Sequence, residues 1–276
     1  MKNQITPNPN DLKLIVQDKY SVIAKQDKSA NECSCCGCGP EVEIDYTIFS
    51  DDYSQKPGYN PDADLGLGCG IPTDYAGILK GHHVLDLGSG AGNDCFVARQ
   101  MVGENGRVTG LDFTAAMIEK ARENLKKTGF RNIEFVQGDI EKMPFSDSSF
   151  DVVISNCVLN LVPDKQKAFA EIYRVLKPGG HFCISDVVLE GTLPANLLNE
   201  AEMYAGCISG ALPREEYMGI IEDRGFSGIS IMTEKIVDIP VDILKHYLNA
   251  DEILEMKEGK KGIISITIRA GKSNAS

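Results

Sequence analysis

The feature that most constrains this chain is a short apolar run that breaks into alternating glycines, Val84-Leu85-Asp86-Leu87-Gly88-Ser89-Gly90-Ala91-Gly92. Glycines at such a turn let the backbone bend tightly and let a ligand lie against main chain with no Cβ in the way. A helix that starts there adds unpaired N–H groups. The spacing is Gly-x-Gly-x-Gly, and Asn93 stands where the dinucleotide fingerprint has its last glycine. The segments that follow alternate in character. Asn93 to Val102 reads as a helix, and Arg107 to Asp112 as a strand. Ala115 to Thr128 is an amphipathic helix with Met117, Ala121 and Leu125 on one face. Ile133 to Gln137 and Asp151 to Ser155 are strands. Lys165 to Leu176 is a helix stopped by Lys177-Pro178-Gly179-Gly180, and His181 to Asp186 is the next strand. Such alternation predicts an α/β fold, a Rossmann-like parallel sheet with helices on both faces. An insertion is expected from Asp186 to about Leu212. A helix, Arg214 to Arg224, and two strands, Ile229 to Val237 and Ile263 to Ala270, then complete the sheet.

The strand ends carry the expected ligand chemistry. Asp112 closes the second strand, where a carboxylate can hold both ribose hydroxyls of an adenosine. Gly138-Asp139-Ile140 follows the third, where Asp139 can accept from an adenine amino group and Ile140 can cover a base face. Either aspartate alone reads equally well as a loop cap. Together with the glycine turn they point to an adenosine pocket at the carboxyl ends of the strands.

Charge and cysteine content narrow the partners. The 276 residues carry 28 Lys and Arg against 40 Asp and Glu, a net charge of -12, which disfavours nucleic acid and anionic membrane surfaces. No apolar run is long enough to span a bilayer, and the N-terminal MKNQITPNPN lacks the apolar centre of a signal peptide. A cytoplasmic protein with reduced thiols is expected. Nine cysteines are too sparse for a small disulfide scaffold, and their odd number excludes complete internal pairing. By composition the chain divides into a cysteine-rich N-terminal arm (1–75, with a helix from Asn10 to Lys25), a core (76–190) and a C-terminal part (191–276).

Val84 to Gly92, Gly110-Leu111-Asp112, Gly138-Asp139-Ile140 and Val175-Leu176-Lys177-Pro178-Gly179-Gly180 resemble the class I S-adenosylmethionine-dependent methyltransferases. That resemblance covers roughly Ala76 to Asp186. It implies a mostly parallel sheet ending in an antiparallel pair, with an inserted substrate cap. Three cysteine segments narrow it: Leu67-Gly68-Cys69-Gly70-Ile71-Pro72, Ser155-Asn156-Cys157-Val158-Leu159-Asn160-Leu161 and Gly206-Cys207-Ile208-Ser209-Gly210-Ala211-Leu212. With Ile184-Ser185-Asp186-Val187-Val188 they are similar to arsenite methyltransferases. The resemblance implies S-adenosylmethionine as co-substrate, bound around Asp86, Gly88, Gly90, Gly92, Asp112, Phe113, Met117, Asp139, Ile140 and Asn156. It implies arsenite, or its thiol adducts, held by Cys69, Cys157 and Cys207. Thiolates suit a soft trivalent centre better than carboxylate or imidazole, and three of them leave its lone pair outward. No resident metal is expected.

The cluster Cys33, Cys35, Cys36 and Cys38 could bind zinc, relay arsenic or enter redox chemistry. The resemblance implies a disulfide between Cys35 or Cys36 and Cys69 during turnover, reset by a thiol reductant such as thioredoxin or glutathione. Cys33 and Cys38 depart from the family pattern. Cys95 and Cys183 are read as packing residues, and His82, His83, His181 and His246 as structural or solvated. Two other readings stand beside the main one: a methyltransferase of this fold acting on a small carbon, nitrogen or oxygen nucleophile, and a non-enzymatic thiol-rich metalloid- or zinc-binding protein.

Overall fold

The computed structural model describes residues 9–26, 51–191, 210–237, 241–245, 248–258 and 262–274. Its helices are α1 (Pro9–Ile23), α2 (Pro72–Tyr75), α3 (Asn93–Val102), α4 (Ala115–Thr128), α5 (Lys165–Val175), α6 (Arg214–Asp223), α7 (Val241–Leu244) and α8 (Ala250–Lys257). Its strands are β1 (His83–Leu87), β2 (Arg107–Asp112), β3 (Ile133–Gln137), β4 (Phe150–Asn156), β5 (Leu176–Glu190), β6 (Ser227–Ile236) and β7 (Gly262–Gly271). They form one sheet in the order β3-β2-β1-β4-β5-β7-β6. The first five strands are parallel, and β7 runs antiparallel to both β5 and β6. The strand order reverses between β1 and β4, so the crevice of this doubly wound sheet opens there.

Alternation along each strand splits the core in two. Leu85, Leu87, Val153, Phe182 and Ile184 face one layer, packed with Phe169 and Ile172 of α5 and with Tyr217 and Ile221 of α6. Val84, Val152, Ile154 and Cys183 face the other, packed with Phe96 of α3 and with Met117 and Ala121 of α4. Burial on both faces is why β1 and β4 read as continuous apolar runs. In α5 the buried positions are Lys165, Ala168, Phe169, Ile172 and Val175, a single helical stripe. The outer strand β6 is exposed along almost its whole length and bears Glu234 and Lys235, charges that blunt an open sheet edge.

Most boundaries fall within two residues of those expected, and the two ends of β5 differ by more. Helix α5 ends at Val175 and β5 starts at once with Leu176, which pairs with Phe150. The Lys177-Pro178-Gly179-Gly180 stretch is therefore an irregularity inside the strand, with Gly179 at φ 76 and the register shifting between Phe150 and Val152. At its other end β5 continues past Asp186 to Glu190. Antiparallel pairing with β7 carries it on, from Asp186 opposite Ile266 to Glu190 opposite Gly262. The insertion thus begins about four residues later than expected, outside the described residues from 192 to 209.

Phe182 is fully buried, with its ring centroid 5.8 Å from Phe169 and 4.8 Å from Phe226. Phe182→Ala is expected to lower stability by about 3–5 kcal/mol in urea unfolding, the range for an aromatic deleted from a close-packed core.

Candidate active site

The crevice between β1 and β4 opens into a cleft of about 1180 Å³, including the part that communicates with solvent. The glycine turn forms its floor. Gly88 has φ 66, and a Cβ there would lie 2.4 Å from the Val158 side chain, so both conformation and space demand glycine. Gly90 also lines the cleft and donates its N–H to Asp112 Oδ2 at 3.0 Å, while Thr114 N–H donates to Oδ1 at 2.8 Å. These bonds hold Asp112 at the wall with lone pairs to spare for a ligand hydroxyl. Asp86, Phe113, Met117, Asp139 and Ile140 line the same cleft. Gly92 is not among its walls. It sits behind them as the left-handed residue before α3, packed against Phe135.

Helix α1 and residues 51–68 close the cleft from the other side, a roof that no local signal in the sequence announces. Val16 is buried there, and Lys13 pairs with Asp139 at 2.6 Å and also with Glu141. Asp139 therefore meets a cation of α1, a partner absent from the sequence reading. Contact between residues 13 and 139 leaves no trace in local periodicity.

Asn156, at the end of β4, joins roof to sheet. Its Oδ1 accepts from Cys69 N–H at 2.9 Å. Its Nδ2 lies 2.9 Å from the Gly70 carbonyl, 2.9 Å from Tyr53 Oη and 3.2 Å from Asp94 Oδ2. Tyr53 in turn donates to Asp94 Oδ1 at 2.8 Å. Gly68 has no Cβ because one would lie 2.6 Å from Asn156 Nδ2. This clamp draws Cys69 to Cys157, the residue after Asn156. Cys157 adopts φ 58, a left-handed conformation that costs a non-glycine residue about 1–2 kcal/mol and is held by its N–H bonding to the Ser185 carbonyl at 2.8 Å.

Cys69, Cys157 and Asp186 meet at this point, each buried, with one Sγ or carboxylate oxygen from each within 4.8 Å of the others. Apolar side chains, including Val16, Leu161, Val187 and Ala211, surround the two cysteines. Asp186 accepts from Val187 N–H at 2.9 Å and from Tyr217 Oη at 3.1 Å. Burial pushes its carboxyl up to about 7. Burial and the neighbouring Asp186 also push the Tyr217 hydroxyl well above its ordinary value. From the sequence alone Asp186 is only a strand end within a motif.

The cysteines read as packing residues are buried, as expected. Cys183 is pushed up to about 12 by burial, and Cys95 donates from Sγ to Asp86 at 3.2 Å. His83 bridges Ser149 and Thr109, and His181 contacts the Ala76 carbonyl, both structural roles. Cys33, Cys35, Cys36, Cys38, Cys207 and His246 lie outside the described residues.

Buried carboxylates dominate the cleft electrostatically. Burial, then Asp94, pushes Asp86 well above the ordinary carboxylate range. Burial raises Asp94 to about 6 against the hydrogen bonds of Tyr53 and Asn156. Burial raises Asp112 too, opposed by its two backbone donors. A cationic ligand relieves this crowding. Ser89 and Asn93 line the same space, and Ser89 Oγ and Asn93 Oδ1 are buried with no hydrogen-bond partner among the described residues. Such orphaned groups fit a ligand rich in donors and acceptors. S-adenosylmethionine has that chemistry, with cationic ammonium and sulfonium centres beside a hydroxylated ribose.

A glycine turn at the switch point, a strand-end carboxylate facing the cleft and a doubly wound sheet define a nucleoside-binding architecture. A family model described as a methyltransferase domain matches residues 78–225. The chain is 41% identical over 237 residues to an arsenite methyltransferase of Halobacterium salinarum, covering 81% of this chain and 59% of that protein. It is 39% identical over 181 residues to the Homo sapiens arsenite methyltransferase, covering 62% of this chain and 48% of that one. The solved structure of an arsenic (III) S-adenosylmethionine methyltransferase from Chlamydomonas reinhardtii superposes with a TM-score of 0.63. The identity there is 38%, over 75% of this chain and 68% of that chain. The chain belongs to the methyltransferase-domain family and, within it, to the arsenite methyltransferase family. It spans only about half to three fifths of the length of these curated relatives. Among the described residues no helix is long and apolar enough to cross a membrane.

Asp94 gives a pH prediction. Its pKa in the fold, about 6, lies above its ordinary 3.8, so the folded state takes up a proton between those values. Stability from this group is present at low pH and is lost as pH rises through about 6. Thermal unfolding of the ligand-free protein should show wild type gaining on Asp94→Asn by on the order of 1 kcal/mol between pH 8 and pH 5. A difference that is flat with pH would contradict the assignment.

Proposed function

We propose that this chain transfers the methyl group of S-adenosylmethionine to trivalent arsenic held by cysteine thiolates, producing methylated arsenicals. One observation carries the reading. Cys69 and Cys157 come together, buried, and Cys157 lies at the wall of a cleft whose other residues suit a cationic nucleoside ligand. Cys157 lines the cleft directly, so an arsenic atom bound there sits beside the bound co-substrate.

When bound, S-adenosylmethionine supplies an electrophilic methyl group on a sulfonium. The chain's residues do the rest by positioning, which can supply much of a displacement's rate. Gly88 and Gly90 give main-chain approach, Asp112 holds ribose hydroxyls, and Asp86 and Asp94 offset positive charge. Cys69 and Cys157 fix arsenic with its lone pair aimed outward. Cys207 is the third thiolate in this reading. Ala211, four residues further on, packs in the same apolar cluster as Cys69 and Cys157.

As the As–C bond forms, the S–C bond breaks with its electrons passing to sulfur, and arsenic is oxidised by two electrons. A pair of thiols closing to a disulfide returns them. Cys35 or Cys36 with Cys69 is our choice for that pair, reset by thioredoxin or glutathione in the cytoplasm. No nucleic acid or membrane partner enters this scheme.

Incubation with arsenite, S-adenosylmethionine and a thiol reductant, followed by separation of arsenic species, should yield methylated products. Cys157→Ser should lower kcat/KM for arsenite at least 100-fold, about 2.7 kcal/mol. Unchanged methyl transfer to a small carbon, nitrogen or oxygen acceptor by that variant would instead favour a different substrate class. Asp112→Asn should raise KM for S-adenosylmethionine by about tenfold, the scale of one weakened charge-assisted hydrogen bond, with little change in arsenite binding measured by calorimetry.

A further inference from the structure

The arrangement of Cys69, Cys157 and Asp186 has a consequence beyond arsenic. Their donor atoms, two sulfurs and one carboxylate oxygen, lie within 4.8 Å of one another, and all three residues are buried. A tetrahedral zinc ion bonds sulfur at about 2.3 Å and carboxylate oxygen at about 2.0–2.2 Å, which sets its ligand atoms roughly 3.3–3.8 Å apart. The three atoms, within 4.8 Å of one another, would need to close by at most about 1.0–1.5 Å to reach that spacing. The carboxylate is already oriented: Val187 N–H fixes Oδ1 and Tyr217 Oη fixes Oδ2. Hydrogen bonds of this kind hold ligands in place around protein-bound metals. Asn160, whose Nδ2 donates to the Val187 carbonyl at 2.6 Å, steadies the same corner.

We propose that Cys69, Cys157 and Asp186 form a binding site for a thiophilic divalent cation of the zinc class, exchangeable with trivalent arsenic. Two sulfurs and one oxygen leave a fourth position for water or a further thiolate. Hard cations such as magnesium and calcium favour all-oxygen sets and are excluded by the sulfurs. Thiol protons lost on coordination pass to solvent. Oxygen from Asp186 is what separates the two occupants. A soft trivalent metalloid is satisfied by thiolates alone, whereas a borderline divalent cation gains from an anionic oxygen. The cation would therefore act as a competitive inhibitor whose affinity depends on Asp186 more than arsenic affinity does. This site stands on the placement of three side chains, independently of whether the chain methylates arsenic.

Cobalt(II) serves as a spectroscopic probe, added anaerobically to the full chain with a phosphine reductant. A variant with Cys33, Cys35, Cys36 and Cys38 all changed to Ser removes the other thiol cluster. In that variant we expect one cobalt per chain, with sulfur-to-cobalt charge-transfer absorption and the visible bands of a tetrahedral ion. Arsenite should bleach these bands, and so should zinc. Asp186→Asn should weaken cobalt binding at least tenfold while changing arsenite affinity less than threefold. Cys157→Ser, and separately Cys69→Ser, should each remove part of the charge-transfer intensity, with far-UV circular dichroism confirming the fold. The proposal is overturned if the four-serine variant shows no charge-transfer band. It is also overturned if arsenite leaves the band unchanged, or if Asp186→Asn binds cobalt as wild type does. Loss of arsenic methylation with cobalt binding intact would count against the methyltransferase reading alone.

Discussion

The Asn156 carboxamide is the junction on which the site depends. Standing at the carboxyl end of β4, it accepts from Cys69 N–H and sits within hydrogen-bond reach of the Gly70 carbonyl, Tyr53 and Asp94. Those partners come from the roof segment and from the first turn of α3. One half-buried side chain therefore fixes the distance between a loop cysteine and the sheet. The neighbouring Cys157 is held in its left-handed conformation by Ser185 on β5. Strain of this kind persists only where surrounding bonds over-determine the backbone. Here it turns one cysteine out of a strand end toward another.

Electrostatics and packing divide the work across this junction. On the cofactor side, buried carboxylates crowd one another and favour a cationic ligand. On the thiol side, apolar residues from α1, β5 and the segment before α6 exclude water. Cys157 belongs to both sides, lining the cleft and packing among the apolar residues. Low dielectric there would strengthen the hold of thiolates on a soft centre. Helix α1 is part of both halves, through Lys13 at the Asp139 end and Val16 among the residues around Cys69 and Cys157.

Much of this was legible in the chain itself. Strands covered on both faces show as apolar runs, so β1 and β4 were visible, and the glycine turn placed the cleft. Asp112 and Cys157 were readable because each directly follows or closes a strand. Lys13, Tyr53 and Asp94 were not, because their contacts join residues far apart in sequence and leave no periodic mark. Asp186 was hidden for a different reason. Carboxylates at strand ends are common, and only the antiparallel pairing that extends β5 to Glu190 shows that this one is enclosed rather than solvated. The same pairing explains why a Lys-Pro-Gly-Gly stretch, a helix-stop signal by composition, becomes part of a strand.

In the proposed function the Asn156 clamp assembles a sulfur site for arsenic next to the cofactor cleft. X-ray absorption at the arsenic edge, on the arsenite-loaded protein, reads the atoms bound to arsenic directly. The expected spectrum has a shell of sulfur neighbours that diminishes in Cys69→Ser and in Cys157→Ser. A shell of oxygen alone, or a sulfur shell unaltered by both substitutions, would contradict it.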